Sequence, residues 1–451
     1  MEAGRFNGTE PIAWLVPARP GAGIGQRRAG EGSGRMKYFA VACLCWMTSF
    51  LACPAACAVT LRMTIPSGAT SETSHMFSGL FQEFEAANPG IEVEFHPLTD
   101  WDDVVKVIAE TIAHGQSGGM FVAEASETYE LENLGLILPF AGVLGGDEKK
   151  FTDMFVREFL GNSSCSTGTF CAPPFVQSTP VAMYNLDMLR EAGISGDALP
   201  ANWEELEGLL EKVKAARPGQ PPFALGGDWY DYLFEAMVRQ AGGVLKDPRS
   251  RKVTLDTPEA LKALLFWKRL QDRGLLMRMN SWKATINAFQ EGLAAVAYYS
   301  SGGLETVHRK AKFSWMADRL PGDRMFSVAL GGGNLYLAAN LSEDEKQAAS
   351  KLSAFLYSPG VQARISAGSG FFPVVQAAFD DPALQGRYTS DEPYVRVRSQ
   401  LRFSHPKLMT AHYLEVRGIL KRAIDRTLDE GMDAGESLRQ AQGEVDRLLE
   451  Q

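Results

Sequence analysis

The sequence predicts an α/β fold arranged as two lobes. Three observations lead there. Strand-like and helix-like runs take turns along the chain, 451 residues exceed one ordinary hydrophobic core, and 45% hydrophobic against 22% charged residues allows a large core. Strands joined by helical crossovers build parallel sheets, so parallel pairing is the expectation.

Val59 to Ile65 alternates apolar and polar residues, as an opening strand does. Apolar Met76, Phe77, Leu80, Phe81 and Phe84 recur at three- and four-residue spacing, which predicts a helix capped by Ser74 and stopped before Asn88, Pro89 and Gly90. Ile91 to Phe95 alternates again and completes a strand, helix, strand unit. Trp101 to Ala113 is helical in pattern, Met120 to Ala123 reads as a short strand, and Thr128 to Leu134 begins another helix. Pro174 to Asn185 is extended, Asp187 to Ala192 and Pro200 to Leu206 open helices, and Glu259 to Arg273 is amphipathic. Ala294 to Tyr299 is a strand entering the small residues Ser300, Ser301, Gly302 and Gly303. Gly331 to Ala338 is extended chain opened by three glycines, Glu343 to Leu356 is a helix with an acidic start, and His412 to Leu449 is helical in two pieces broken near Gly431.

Ahead of these elements, residues 1–35 are rich in Gly and Arg without apolar periodicity and read as a disordered extension or a mis-assigned start, with Met36 as the true one. Residues 36–58 carry a basic start, an apolar run from Tyr38 to Ala52 and a small-residue cleavage pattern at Ala56, Cys57 and Ala58, the layout of a secretory signal. The run is shorter than the ~20 apolar residues a membrane span needs. Lipid attachment at Cys53 is the alternative reading. Export with cleavage after Ala58 leaves Cys165 and Cys171, an even pair in an oxidising compartment, around a turn-forming insert that can bring the two Cα atoms within bridging reach. A structural disulfide is expected there; metal binding lacks further ligands nearby and a catalytic thiol lacks a placed His.

The formal net charge is -9 and no basic run follows the opening segment, so the electrostatic footprint of a nucleic-acid binder is missing. The six His form no zinc-protease pattern, and neither a nucleophile elbow nor a phosphate-binding P-loop occurs. A secreted enzyme is the weaker alternative, and no cofactor or metal is expected.

The colinear phrases 84–91, Ser178 to Asn185, Ala192 to Ile194, Pro200 to Trp203, Phe289 to Ala295 and Phe355 to Gly360 together resemble the family 1 extracellular solute-binding proteins of ABC importers. Gly368 to Val374 and the long C-terminal helical run look most like the members that bind sn-glycerol-3-phosphate. The resemblance implies the type II periplasmic binding protein fold, with lobes joined by crossing hinge strands and a small polar ligand between them. It places the crossings near Ser178, Val296 and Gly332, hence residues 59–176 with 296–330 in one lobe and 177–295 with 331–451 in the other. It also implies a periplasmic, monomeric protein that delivers sn-glycerol-3-phosphate or a glycerophosphodiester to permease subunits with their ATPase. A sugar, oligosaccharide or polyol is the alternative ligand.

Carried over by that resemblance, Glu124 accepts ligand hydroxyls, an ordinary loop acid being the alternative, and Ser178 contacts ligand from the crossing strand. Trp101 and Phe371 stand where the relatives carry tyrosines, and Trp229 and Tyr230, with Tyr232 nearby, lie where a tryptophan meets the cleft, although the glycines before them blur the register. As core aromatics these three would have no ligand role. Where the relatives place an arginine on phosphate, residues 403–413 hold none; Lys407 or His405 would substitute, as a point charge without the bidentate fork. From the residues themselves, Ser300 and Ser301 with the following glycines would expose amides to an anion, and Gly331 to Gly333, with Gly332 at its centre, would admit close backbone approach. A tight hinge turn is the alternative for both glycine runs.

Overall fold

The computed structural model describes residues 58–67, 71–144, 148–246 and 252–450. Residues 36–57 of the expected signal segment, with Cys43, Cys45, Cys53 and Cys57, lie outside them. The described strands are β1 Val59–Pro66, β2 Ile91–Leu98, β3 Met120–Glu124, β4 Ile137–Leu138, β5 Pro174–Ser178, β6 Pro180–Asn185, β7 Phe223–Gly226, β8 Leu276–Met279, β9 Val296–Ser300, β10 Trp315–Asp318, β11 Val328–Ala329, β12 Gly331–Ala338 and β13 Ser404–His405.

They form two large sheets, with β11 and β13 paired apart from both. The first has the order β2-β1-β3-β12-β4, with β5 also on β12, and the second the order β10-β6-β9-β7-β8. Each is mixed. β1 is parallel to β2 and β3, and β7 is parallel to β8 and β9, as crossover helices require. β12 runs antiparallel to β3, β4 and β5, and β6 antiparallel to β9 and β10. The antiparallel members are those next to the passages between sheets, where the chain enters from the other lobe without a crossover helix of its own.

The passages correct the expected lobes. Only Thr179 separates β5 in the first sheet from β6 in the second, so the chain crosses there, and it returns at Gly331 into β12. Val296, expected to return to lobe one, starts β9 in the middle of the second sheet, and β10 follows it there. Conversely β12, expected in lobe two, is central to the first sheet. The helix Glu343–Leu356 packs on β1 and the helix Pro359–Ser369 on the helix Glu72–Ala87. The last two helices, Tyr413–Leu428 and Ala434–Leu449, pack on each other and on Pro258–Asp272 beside the second sheet. A strand's apolar pattern reports that it is buried, not which neighbours it pairs with.

Local chemistry sets the elements. The first helix is capped by Ser71, whose side chain accepts from Ser74 N, so it starts three residues earlier than expected and Ser74 is itself buried inside its first turn. Ser342 and Glu345 form a reciprocal capping box on the helix Glu343–Leu356. Cys165 and Cys171 are disulfide-bonded with Cα atoms 5.1 Å apart.

Candidate functional site

The crossing strands bring small residues side by side. Ser178 at the end of β5 is paired with Gly331, and Gln177 with Gly332, at the start of β12. Gly332 has φ +98°, and a Cβ there would collide with the Val176 carbonyl oxygen, so glycine is required for the strands to pass. A Cβ on Gly331 would lie 2.6 Å from the Tyr232 ring, so its absence makes room for that side chain.

A buried charged group sits beside this crossing. Glu124, the last residue of β3, faces Gly333 across the ladder and is 2% exposed. Lys407 follows β13 and is 4% exposed. Its Nζ lies 2.7 Å from Asp231 Oδ2 and 3.2 Å from Glu124 Oε2. Asp231 comes from the helix Tyr230–Gln240, and Tyr413 Oη donates to it at 2.8 Å. Arg417, one turn beyond Tyr413, places Nε 3.3 Å from Asp231 Oδ1 and Nη1 2.7 Å from Asp102 at the rim. Ser126 Oγ donates to Glu124 Oε2 at 3.0 Å, while Glu124 Oε1 is buried without a hydrogen-bond partner.

Burial opposes charge throughout this group, and ion pairing overcomes it for some members. Asp231 is pulled down to about 2: desolvation would raise it, but Lys407 and Arg417 together prevail. Lys407 is raised against its own desolvation by Asp231 and Glu124. For Glu127 burial, and then the charge of Glu124, outweigh the more distant Arg417 and push its carboxyl well up. Burial lifts Glu235 to about 7, although its carboxylate accepts from Leu408 N at 2.9 Å.

Aromatic faces close the space around these charges. Lys407 Nζ is 5.4 to 5.6 Å from the rings of Tyr413, Tyr232 and Trp229. Trp282 stacks on Tyr299 with centroids 4.2 Å apart and leans on Trp229 at 5.9 Å. From the other side Trp101 and Phe371 meet at 6.4 Å, Trp101 filling the space left by Gly333 and Phe371 that left by Gly302. A cavity of about 190 Å³ opens here between Trp282, Tyr299, Ser300, Gly302, Thr306 and Phe371. Polar groups converging beneath an aromatic wall suit a small polar ligand with apolar CH faces.

Residues 79–392 match the family of bacterial extracellular solute-binding proteins. This chain belongs to that family. A Brucella abortus (strain 2308) binding protein is 26% identical over 324 residues, 70% of this chain and 76% of the relative. The sn-glycerol-3-phosphate-binding periplasmic protein of Escherichia coli (strain K12) is 25% identical over 238 residues, half of this chain and 54% of that protein. Among solved structures, maltose-bound T. maritima MalE3 aligns with TM-score 0.75 at 22% identity, covering 87% of this chain and 100% of that one. Mycobacterium tuberculosis UgpB in complex with glycerophosphocholine aligns with TM-score 0.76 at 22% identity, covering 87% and 98%. These likenesses establish the type II periplasmic binding protein fold. As a family member the chain is the substrate-binding component of an ABC importer and works outside the cytoplasmic membrane.

In this solute-binding protein, Glu124, Lys407 and Trp229 meet in the charged group, and Ser178 lies at its edge, 3.3 Å from Tyr232 Oη. Trp101, Phe371 and Ser300 line the aromatic space and cavity. Tyr230 does not join them. Its hydroxyl accepts from Arg278 at 2.8 Å and its ring packs on Trp267, because the helix starting there turns it toward the core and turns Tyr232 toward the crossing. Ser301 is also diverted: its amide and hydroxyl both bond Thr179, and the Gly302 amide is held by Ser300 Oγ, so these groups brace the hinge and do not face outward as an anion nest. His405 bonds Ser327 through Nδ1 on β13 and leaves the cationic role to Lys407. Asp231, Trp282, Tyr299, Tyr413 and Arg417 were missed. For Arg417 the sequence carries a signal, since it lies four residues after Tyr413 and therefore on the same helix face, just past residues 403–413.

Proposed function

We propose that this protein captures a glycerophosphodiester or sn-glycerol-3-phosphate in the periplasm, closes its lobes over it about the passages at Thr179 and Gly331, and delivers it to the permease subunits served by their ATPase. It acts as a single copy, freed by cleavage after Ala58, and releases its ligand chemically unchanged.

The observation that carries this reading is Glu124. One carboxylate oxygen is engaged by Lys407 and Ser126, and the other is buried without a partner. A buried acceptor left unpaired costs about 1–3 kcal/mol, and a glycerol hydroxyl donating to it would recover that. Ser178 and Lys407 supply donors for a phosphate oxygen, and the rings of Trp229, Trp282 and Tyr299 suit the carbon faces of a polyol. The relatives named for sn-glycerol-3-phosphate and seen with glycerophosphocholine support the same class.

A sugar is the second reading, favoured by the stacked Trp282 and Tyr299 and by the maltose-bound relative. A thermal-shift panel of sn-glycerol-3-phosphate, glycerophosphodiesters, maltose-like sugars and polyols separates the two. At a hundredfold excess over Kd a ligand adds about 2.7 kcal/mol of stability. Stabilisation by sugars alone would install the second reading, and stabilisation by none would remove both.

A further inference from the structure

We propose that Asp231 sets the charge preference of the site: by neutralising its cations it makes the protein favour neutral, zwitterionic or singly charged ligands over dianionic phosphate monoesters, so that of the two ligands named above the diester is held more tightly. This rests on the cleft beside Glu124 being the ligand site.

Both cations here are already committed. Lys407 Nζ is held by Asp231 at 2.7 Å and by Glu124 at 3.2 Å. Arg417 is held by Asp231 at 3.3 Å and by Asp102 at 2.7 Å. The side chains of Lys407, Glu124, Asp231 and Arg417 are all less than a tenth exposed, so water screens them little, and their charges cancel. Asp102 at the rim adds a further negative charge; Glu127 beside Glu124 and Glu235 beside Leu408 are acids whose ionisation burial opposes, and Arg239 lies near Glu235. A second phosphate charge would therefore face Glu124, Asp231 and Asp102, with Lys407 and Arg417 already paired to them. The ring faces of Trp229, Tyr232 and Tyr413 act in the same direction, since a π face attracts positive charge and repels negative. Asp231 is the pivot because, among the described carboxylates, it is the one ion-paired with both cations.

The test is calorimetric titration of the purified protein at pH 8 with glycerol-3-phosphate, glycerophosphoglycerol, glycerophosphocholine and maltose. The monoester is then a dianion, its second ionisation lying near pH ~6. The expected result is that a diester binds at least about tenfold more tightly than the monoester. In Asp231→Asn, which keeps an acceptor for Tyr413 but removes the charge, that ratio closes or inverts. A wild-type protein that binds the monoester as tightly as the diesters overturns the proposal, and so does an unchanged ratio in a folded variant. Should the variant lose its circular-dichroism signature of folding, the wild-type ratio decides alone. Binding of maltose with no phosphate probe supports exclusion of dianions while replacing the ligand class. Binding of no probe overturns the site assignment on which the proposal rests.

Discussion

Ser178 Oγ and Tyr232 Oη lie 3.3 Å apart, both buried, and their contact ties the last residue of β5 to the helix Tyr230–Gln240 across the point where the chain changes sheets. Burial pushes the Tyr232 hydroxyl far up, so it keeps its proton and can donate. The expected outcome for Ser178→Ala and for Tyr232→Phe is a ligand affinity lowered about three- to tenfold, the worth of one hydrogen bond of about 1 kcal/mol, with little loss of folding stability. Calorimetric titration of both variants checks this; unaltered affinity in both would place the ligand elsewhere.

Lys407→Met should be the more damaging change. Methionine fills similar space but leaves Asp231 and Glu124 without their shared counter-ion in the interior. Breaking a buried ion pair from one side costs about 3–5 kcal/mol. Urea unfolding measures it, and a variant as stable as the parent would mean the pair contributes nothing.

Glu235 predicts a pH dependence of stability. Its folded value near 7 lies above the ordinary unfolded value of about 4.3, so between these pH values the native state holds a proton that the unfolded chain has lost. Stability from this group is fully present below about pH 4.3 and is lost as pH rises through 7. His405, which burial depresses to about 4, acts in the opposite sense, adding stability as pH rises from about 4 to its unfolded value near 6.5. The clean readout is therefore a difference. The melting temperature of Glu235→Gln minus that of the parent should grow from pH 4.5 to pH 7.5, and a flat difference contradicts the assignment.

Gly332→Ala should cost about 2 kcal/mol or more. The residue stands at φ +98°, which side chains rarely adopt, and the new methyl would strike the Val176 carbonyl. Denaturant unfolding reads the loss directly. An alanine variant of parental stability would show that the strands pass each other differently.

The disulfide closes a short loop, so its contribution should be modest. Chain entropy for a loop of this size gives about 2 kcal/mol, and Cys165→Ser with Cys171→Ser should lower stability by that order while sparing ligand affinity. Peptide mapping with and without reductant tests the linkage; free thiols at both positions in exported protein would refute it.

Most of the elements were legible along the chain because their signals are local. The helical spacing of Phe77, Leu80, Phe81 and Phe84, the alternation of Val59 to Ile65 and the acidic opening of Glu343–Leu356 all depend on neighbours within a few residues. The bridge between Cys165 and Cys171 is equally local. Glu124, Ser178 and Lys407 are singled out by the family resemblance, and the structure brings Glu124 and Lys407 within 3.2 Å of each other. Tyr230 and Tyr232 are hard to tell apart in the sequence, because two residues of register decide which aromatic faces the crossing and the glycines before them conceal that register.

From its residues alone this protein reads as an α/β chain with a likeness to solute-binding proteins, and an export leader is the expectation for its first residues. Folding in three dimensions assigned Val296–Ser300 to the second sheet and Gly331–Ala338 to the first, and joined Asp231 to Lys407, 176 positions apart, and to Arg417. The reason is that backbone pattern is written in short-range steric and hydrophobic periodicity, whereas strand partners and buried charge pairs are chosen by which distant groups can satisfy one another once water is excluded.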